Sequence, residues 1–179
     1  KEKPVFHGSF QADLSLNPSN FSTAKFLRCL LRQKQEKQNL IMETTIDIAN
    51  IQATLKEGGL DAWLLYDFHG SNPIARRIVG LNNSPKLTTR RWYYLIPAEG
   101  IPCSLVHHIE KETLAHLPGT RRLYAERNQL STELTRLVSG LRHVAMEYSP
   151  HCAIPYLSRV DAGTVDSLRA LNIEVISSG

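Results

Sequence analysis

Cysteine is too scarce and too scattered in this chain to staple a fold. Cys29, Cys103 and Cys152 are three in number, an odd set that argues against a disulfide framework and for a reducing compartment. Long hydrophobic runs are missing as well. Even residues 26–31 are interrupted by Arg28, so no stretch is expected to span a bilayer. No G-x-S-x-G elbow is present for a serine nucleophile, and Gly58-Gly59 precedes a strand instead of following one, as a phosphate-cradling loop would. The paired short Cys/His spacings of a structural zinc site are also absent. A soluble, cytoplasmic protein is expected.

What is there is an ordinary globular composition. The 179 residues are 42% hydrophobic and 21% charged, enough for one domain of common size with an appendage. The net charge of +4 is unevenly placed. Residues 1–41 hold seven Lys/Arg against three Asp/Glu, while residues 42–179 hold fourteen of each. The globular part is therefore neutral. A nucleic-acid partner, which calls for a basic stripe or groove on a folded face, is not expected.

Residues 1–41 read as a basic amino-terminal extension. A short helix over residues 21–31 is expected, with Ser22 or Thr23 as its cap, followed by a solvated stretch over residues 32–39. The acid-poor, Ser- and Lys/Arg-containing segment loosely resembles an organellar transit peptide. The other reading is an upstream extension ahead of a natural start at Met42.

From residue 42 to residue 179 the pattern is regular. Thr44 with Asp47 fits a capping box, and Ile48, Ile51 and Leu55 recur at helical spacing until Gly58-Gly59. A strand over residues 61–66 and a helix over 74–79 follow. Residues 91–96 and 103–109 are β-rich runs joined as a hairpin. A short helix is expected over 110–117, a strand over 122–125, and an amphipathic helix around Leu134 capped by Ser131. A strand over 144–148, a helix opened by Ser158 and Asp161, and a strand over 173–176 complete the chain. Strands alternating with helices predict an α/β fold with helices on both faces, and the hairpin makes the sheet mixed.

The stretch 59–80, GLDAWLLYDFHGSNPIARRIVG, concentrates the candidate site residues. An apolar run ends at a polar loop with Pro73 placed where a helix can begin. Loops at strand ends are where α/β folds place binding groups. Asp67, His69 and Asn72 lie in this loop, Arg76 and Arg77 one turn on, and Arg90 and Arg91 before Trp92. Such groups could recognise a peptide terminus or carboxylate, with Arg suited to bidentate contact. The competing reading is that Asp67 and Asn72 cap the next helix and the arginines are surface charges.

Three segments in order, 59–80, 88–110 and 144–178, resemble the amino-terminal domain of the creatinase/prolidase family, the non-catalytic half of Xaa-Pro peptidases. The resemblance implies a ribonuclease-H-like three-layer α/β domain ahead of a pita-bread metallopeptidase domain. It implies a dimetal centre, with ions such as Mn²⁺, held by two Asp, one His and two Glu of that carboxy-terminal domain. No metal ligand or catalytic residue is carried over to this chain, which by itself is not expected to hydrolyse peptides. Substrate gating, homodimer contacts and a carboxy-terminal partner domain are implied; the substrate-rim candidates are Asp67, His69, Asn72, Arg76, Arg90 and Arg91. A docking face with Trp92, Tyr93 or Tyr156 exposed is expected. The alternative is a stand-alone interaction module that kept the fold without the peptidase.

The remaining constellations have bland readings. His107 and His108 are adjacent on a strand and face opposite sides, so one should pack inward and the other meet solvent. Cys103 reads as a small core residue and Cys152 as a loop residue. Asp61, Asp67 and Glu147 are too few converging carboxylates for a two-metal nuclease.

Overall fold

Caps and glycines delimit the first elements. The computed structural model describes Arg32, residues 46–82 and residues 88–179. The chain divides into two units, Lys1–Glu43 and Thr44–Gly179, and the sheet with its helices belongs to the second. Asp47 caps helix α1 (Ile48–Glu57) by accepting from the Asn50 backbone N–H at 3.0 Å. Gly58 closes the helix, and Gly59, at φ +64°, turns the chain into strand β1 (Ala62–Asp67). Asn72 caps the short helix α2 (Pro73–Ile78), whose Pro73 stands where its missing N–H costs nothing.

The remaining elements are β2 (Trp92–Pro97), β3 (Cys103–His107), β4 (Thr120–Tyr124), α3 (Arg127–Leu137), β5 (His143–Met146), α4 (Ala162–Arg169) and β6 (Glu174–Ser177). One mixed sheet takes the order β4-β3-β2-β1-β5-β6. β2 runs antiparallel to both its neighbours, and the other pairings are parallel. The run β3-β2-β1-β5-β6, with only its second strand reversed, fits the ribonuclease-H-like arrangement.

Alternation along the central strands divides the core in two. Ala62, Leu64 and Tyr66 of β1, with Tyr93 and Leu95 of β2, pack against Leu130, Leu134, Leu137, Val165 and Leu168 of α3 and α4. Leu65, Trp92, Tyr94 and Ile96 face the other way, against Leu55 of α1 and Ala75 of α2. Helices thus cover both faces, as expected of three layers. Each fully buried Leu contributes about 1.5–3 kcal/mol of burial free energy.

Several local expectations change. Thr44 and the expected helix over 21–31 lie outside the described residues; Asp47 alone supplies the described cap of α1. Residues 111–117 form successive turns, not a helix, with Thr113, Ala115 and Leu117 each donating to the carbonyl three residues back. Helix α3 begins at Arg127, a turn before Ser131, because Gln129 accepts the Ala125 N–H at 2.8 Å and anchors its start. Trp92 and Tyr93 are core residues at 1% and 2% exposure, whereas Tyr156 is 82% exposed. His107, the last residue of β3, is buried and His108 exposed, but strand alternation is not the reason. His108 opens a 3-10 turn, and the two ring centroids lie 4.6 Å apart instead of on opposite sides. Among the described residues no helix is long and apolar enough to cross a membrane.

Candidate functional site

Strand direction assembles the site. Asp67 at the end of β1 is paired with Trp92 at the start of β2, and His107 at the end of β3 with Tyr124 at the end of β4. The carboxyl ends of β1, β3 and β4 therefore share an edge with the segment entering β2. Open α/β sheets bind ligands outside this edge.

A buried polar frame holds that edge in place. Asn72, fully buried, donates its backbone N–H to Asp67 Oδ1 at 2.9 Å and its side-chain Nδ2 to Glu147 Oε2 and the Tyr66 carbonyl, both at 2.8 Å. Its Oδ1 accepts from the Ala75 N–H at 3.0 Å, capping α2. Trp63 Nε1 donates to the other Glu147 oxygen at 2.7 Å. Burial pushes the Glu147 carboxyl above its usual range, opposed by the donors Asn72 and Trp63. Arg76 closes the far side, donating to Thr88 Oγ1 and the Leu81 carbonyl at 3.1 Å and lying 3.5 Å from Asp67 Oδ2. Unsatisfied, each of these buried groups would cost about 1–3 kcal/mol.

On this frame sits a tight turn. His69 and Gly70 have φ of +59° and +77°, and Ser71 N–H donates to the Phe68 carbonyl at 3.1 Å. The turn exposes Phe68, His69 and Ser71. Arg91 lies with its guanidinium carbon 5.7 Å from the Phe68 ring centroid, a cation–π contact. The Arg91 carbonyl accepts the Tyr124 hydroxyl at 2.7 Å, and Glu110 accepts the backbone N–H groups of Thr89 and Arg90. The segment before β2 is thereby fixed from both sides.

Phe68, Arg90, Arg91, Tyr124, Arg127 and Leu130 line a pocket over this edge. It adjoins a cleft of about 260 Å³ between α3 and α4 that Arg91 and Arg127 also line, with Asp161, Thr164 and Ser131. A third arm passes Tyr66, Phe68 and Ser71 to reach Arg159. Asp161 caps α4, accepting from Thr164 N–H at 2.9 Å, Thr164 Oγ1 at 2.8 Å and the Tyr66 hydroxyl at 2.7 Å. Burial alone would raise its carboxyl; the hydrogen bonds from Tyr66 and Thr164 outweigh it and hold it below its ordinary value. Burial, with Asp161 as partner, pushes the Tyr66 hydroxyl up to about 12.

The six candidates from the sequence thus separate. Arg90 and Arg91 line the groove, and His69 stands exposed at the tip of its turn. Asp67, Asn72 and Arg76 are built into the frame, with Asp67 and Asn72 fully buried. The capping reading thus describes Asn72. The expectation of a domain without a basic groove is corrected: four arginines meet at one edge although residues 42–179 are neutral in sum.

Sequence reading missed Arg127, Arg159, Phe68 and Tyr124. Arg127 did carry a signal, since a cation in the first turn opposes the helix dipole and suggests another use. Among the described residues no three His, Cys, Asp or Glu side chains are grouped to hold a metal ion. Asp67 and Glu147, drawn together by Asn72, already accept protein donors. The donor set does not fit a two-metal centre.

No family model matches the chain, and no curated protein does. Solved structures do match. The creatinase/prolidase N-terminal domain of an X-Pro dipeptidase from Streptococcus pyogenes aligns with a TM-score of 0.56 at 10% identity, covering 73% of this chain and 92% of that one. A proline dipeptidase from Streptococcus pneumoniae TIGR4 aligns at 0.55 and 14% identity, covering 73% and 90%. The prolidase from Pyrococcus horikoshii OT3 aligns at 0.51 and 17% identity, covering 73% of this chain but only 32% of that one. The domain has the fold of the creatinase/prolidase N-terminal domain.

Proposed function

We propose that this chain is the non-catalytic amino-terminal domain of an Xaa-Pro peptidase-like protein. Its groove forms part of the rim that admits the peptide, and its exposed edge contributes to dimer contacts. One observation carries the reading: a fold matching solved prolidase amino-terminal domains has, at the carboxyl edge of its sheet, a groove rimmed by Arg90, Arg91, Arg127 and Arg159. Guanidinium forks suit peptide carboxylates, and a fixed segment before β2 presents them without reorganisation. The hydrolytic step, with its two divalent metal ions, belongs to a carboxy-terminal domain outside this sequence.

The test is to follow the reading frame past Gly179 and assay the whole product on Xaa-Pro dipeptides with Mn²⁺. The expected result is a frame supplying two Asp, one His and two Glu, metal-dependent turnover by the whole protein, and none by this chain alone. Light scattering should then report a dimer. A stop codon with robust turnover by the isolated chain would overturn the reading. A stop codon with no turnover would favour a stand-alone interaction module.

A further inference from the structure

Three guanidinium groups and no carboxylate line the pocket beside Phe68, Tyr124 and Leu130. Its other polar groups are occupied. Tyr124 donates its hydroxyl to the Arg91 carbonyl, and His107 holds Nε2 at 3.0 Å from the Ala125 carbonyl while Nδ1 accepts from the Ile109 N–H at 3.2 Å. The ring proton is thereby assigned to Nε2. The side chains of Arg90 and Arg127 have no hydrogen-bond or ion-pair partner among the described residues. Arg159 joins from the adjoining arm, where the one carboxylate, Asp161, already accepts from Tyr66 and Thr164. The groove therefore offers cationic forks above an apolar floor, with four guanidinium groups set against one carboxylate, Asp161.

We propose that this groove takes an acidic peptide segment, with two or more side-chain carboxylates flanking an apolar side chain. The proposal names the substrate class of the rim and so rests on the reading of the groove as that rim. A single terminal carboxylate occupies one fork and leaves the other guanidinium groups uncompensated, whereas successive carboxylates meet several at once. Phe68, Tyr124 and Leu130 form the apolar seat for the intervening side chain. Nucleic acid fits less well. A strand needs a basic track along its backbone, whereas these arginines cluster at one edge beside the apolar Phe68, Tyr124 and Leu130.

The test titrates the full chain with a labelled peptide alternating glutamate and leucine, acetylated and amidated to remove its terminal charges. Its glutamine counterpart and a single-stranded oligonucleotide of equal length are run in parallel. The acidic peptide should bind, the glutamine peptide at least about tenfold more weakly, and the oligonucleotide more weakly still. Arg90→Ala with Arg127→Ala should lose at least about tenfold, and Arg77→Ala, an exposed arginine of α2, should change nothing. Amide shifts of the unmodified chain should move at Phe68 and Tyr124, which keeps the site testable if the double variant unfolds. Equal binding of the glutamine peptide overturns the acidic class and leaves the rim reading standing. Failure of both peptides overturns the proposal and leaves the rim reading to the dipeptide assay of the whole product. Tighter binding of the oligonucleotide, or shifts confined elsewhere, overturns the proposal in favour of another ligand or surface.

Discussion

Asn72 grips Glu147 through its amide nitrogen at 2.8 Å and caps helix α2 through its amide oxygen at 3.0 Å. One buried side chain thus ties the loop after β1 to the end of β5. Asn72→Ala removes the cap and leaves Glu147 with one donor fewer, and should cost about 2–4 kcal/mol in urea unfolding. Asn72→Asp keeps a capping oxygen but sets a second carboxylate beside Glu147, and should be worse at neutral pH. An aspartate variant as stable as wild type would sink this account of the frame.

Glu147 itself predicts a pH dependence. Burial, outweighing the Asn72 and Trp63 donors, holds its folded pKa above the ordinary 4.5. The folded state then binds this proton more readily than the unfolded chain. Its contribution to stability is fully present below pH 4.5 and is lost as pH rises through the folded value. Glu147→Gln cannot titrate, so the stability of wild type relative to this variant should shrink as pH rises from 4.5 to neutrality. Paired urea titrations across that range check the sign, and a widening difference would refute it.

Four of the six tyrosines are held above their ordinary value of 10.0 by burial, Tyr66, Tyr94 and Tyr124 to about 12 and Tyr93 beyond that. Raised folded values mean stability that is intact below pH 10 and lost as pH climbs through 12. Absorbance at alkaline pH should therefore leave four tyrosines protonated near about pH 11 in the folded protein, and release them together on unfolding. Smooth titration of all six around pH 10 would contradict the packing.

Gly119 sits at φ +112°, and a Cβ there would run into the Pro102 carbonyl, which accepts the Thr120 N–H at 2.9 Å where β4 joins β3. Gly119→Ala should cost about 3 kcal/mol or more, combining the backbone penalty with the displaced strand junction. Gly140→Ala, at φ +83° with nothing within 4 Å of the added carbon, isolates the backbone penalty at about 1–2 kcal/mol. Equal losses in thermal unfolding would show that the contact at Pro102 does not matter.

Much of the fold was legible because local signals agreed with the global arrangement. Gly58-Gly59, Pro73 and the apolar run after Asp61 mark boundaries by backbone chemistry alone, and the observed elements fall within a residue or two of them. The region 111–117 misled because its helix-forming residues are claimed by successive three-residue turns. The site was half legible. Arg90 and Arg91 lie beside a strand end that composition reveals. Arg127 and Arg159 reach the same place only through strand pairing and the crossover after β5, which no window of sequence displays.

The loop at residues 67–72 alternates two kinds of position. Asp67, Gly70 and Asn72 carry the internal bonds and the backbone turn, whereas Phe68, His69 and Ser71 point outward. Heritable change at Phe68 or Ser71 can therefore redraw what the groove presents while the scaffold beneath stays intact. His69 is less free, because its left-handed backbone admits few residue types at low cost. The loop separates stability from surface chemistry residue by residue, so its outward positions can vary over one unchanged frame.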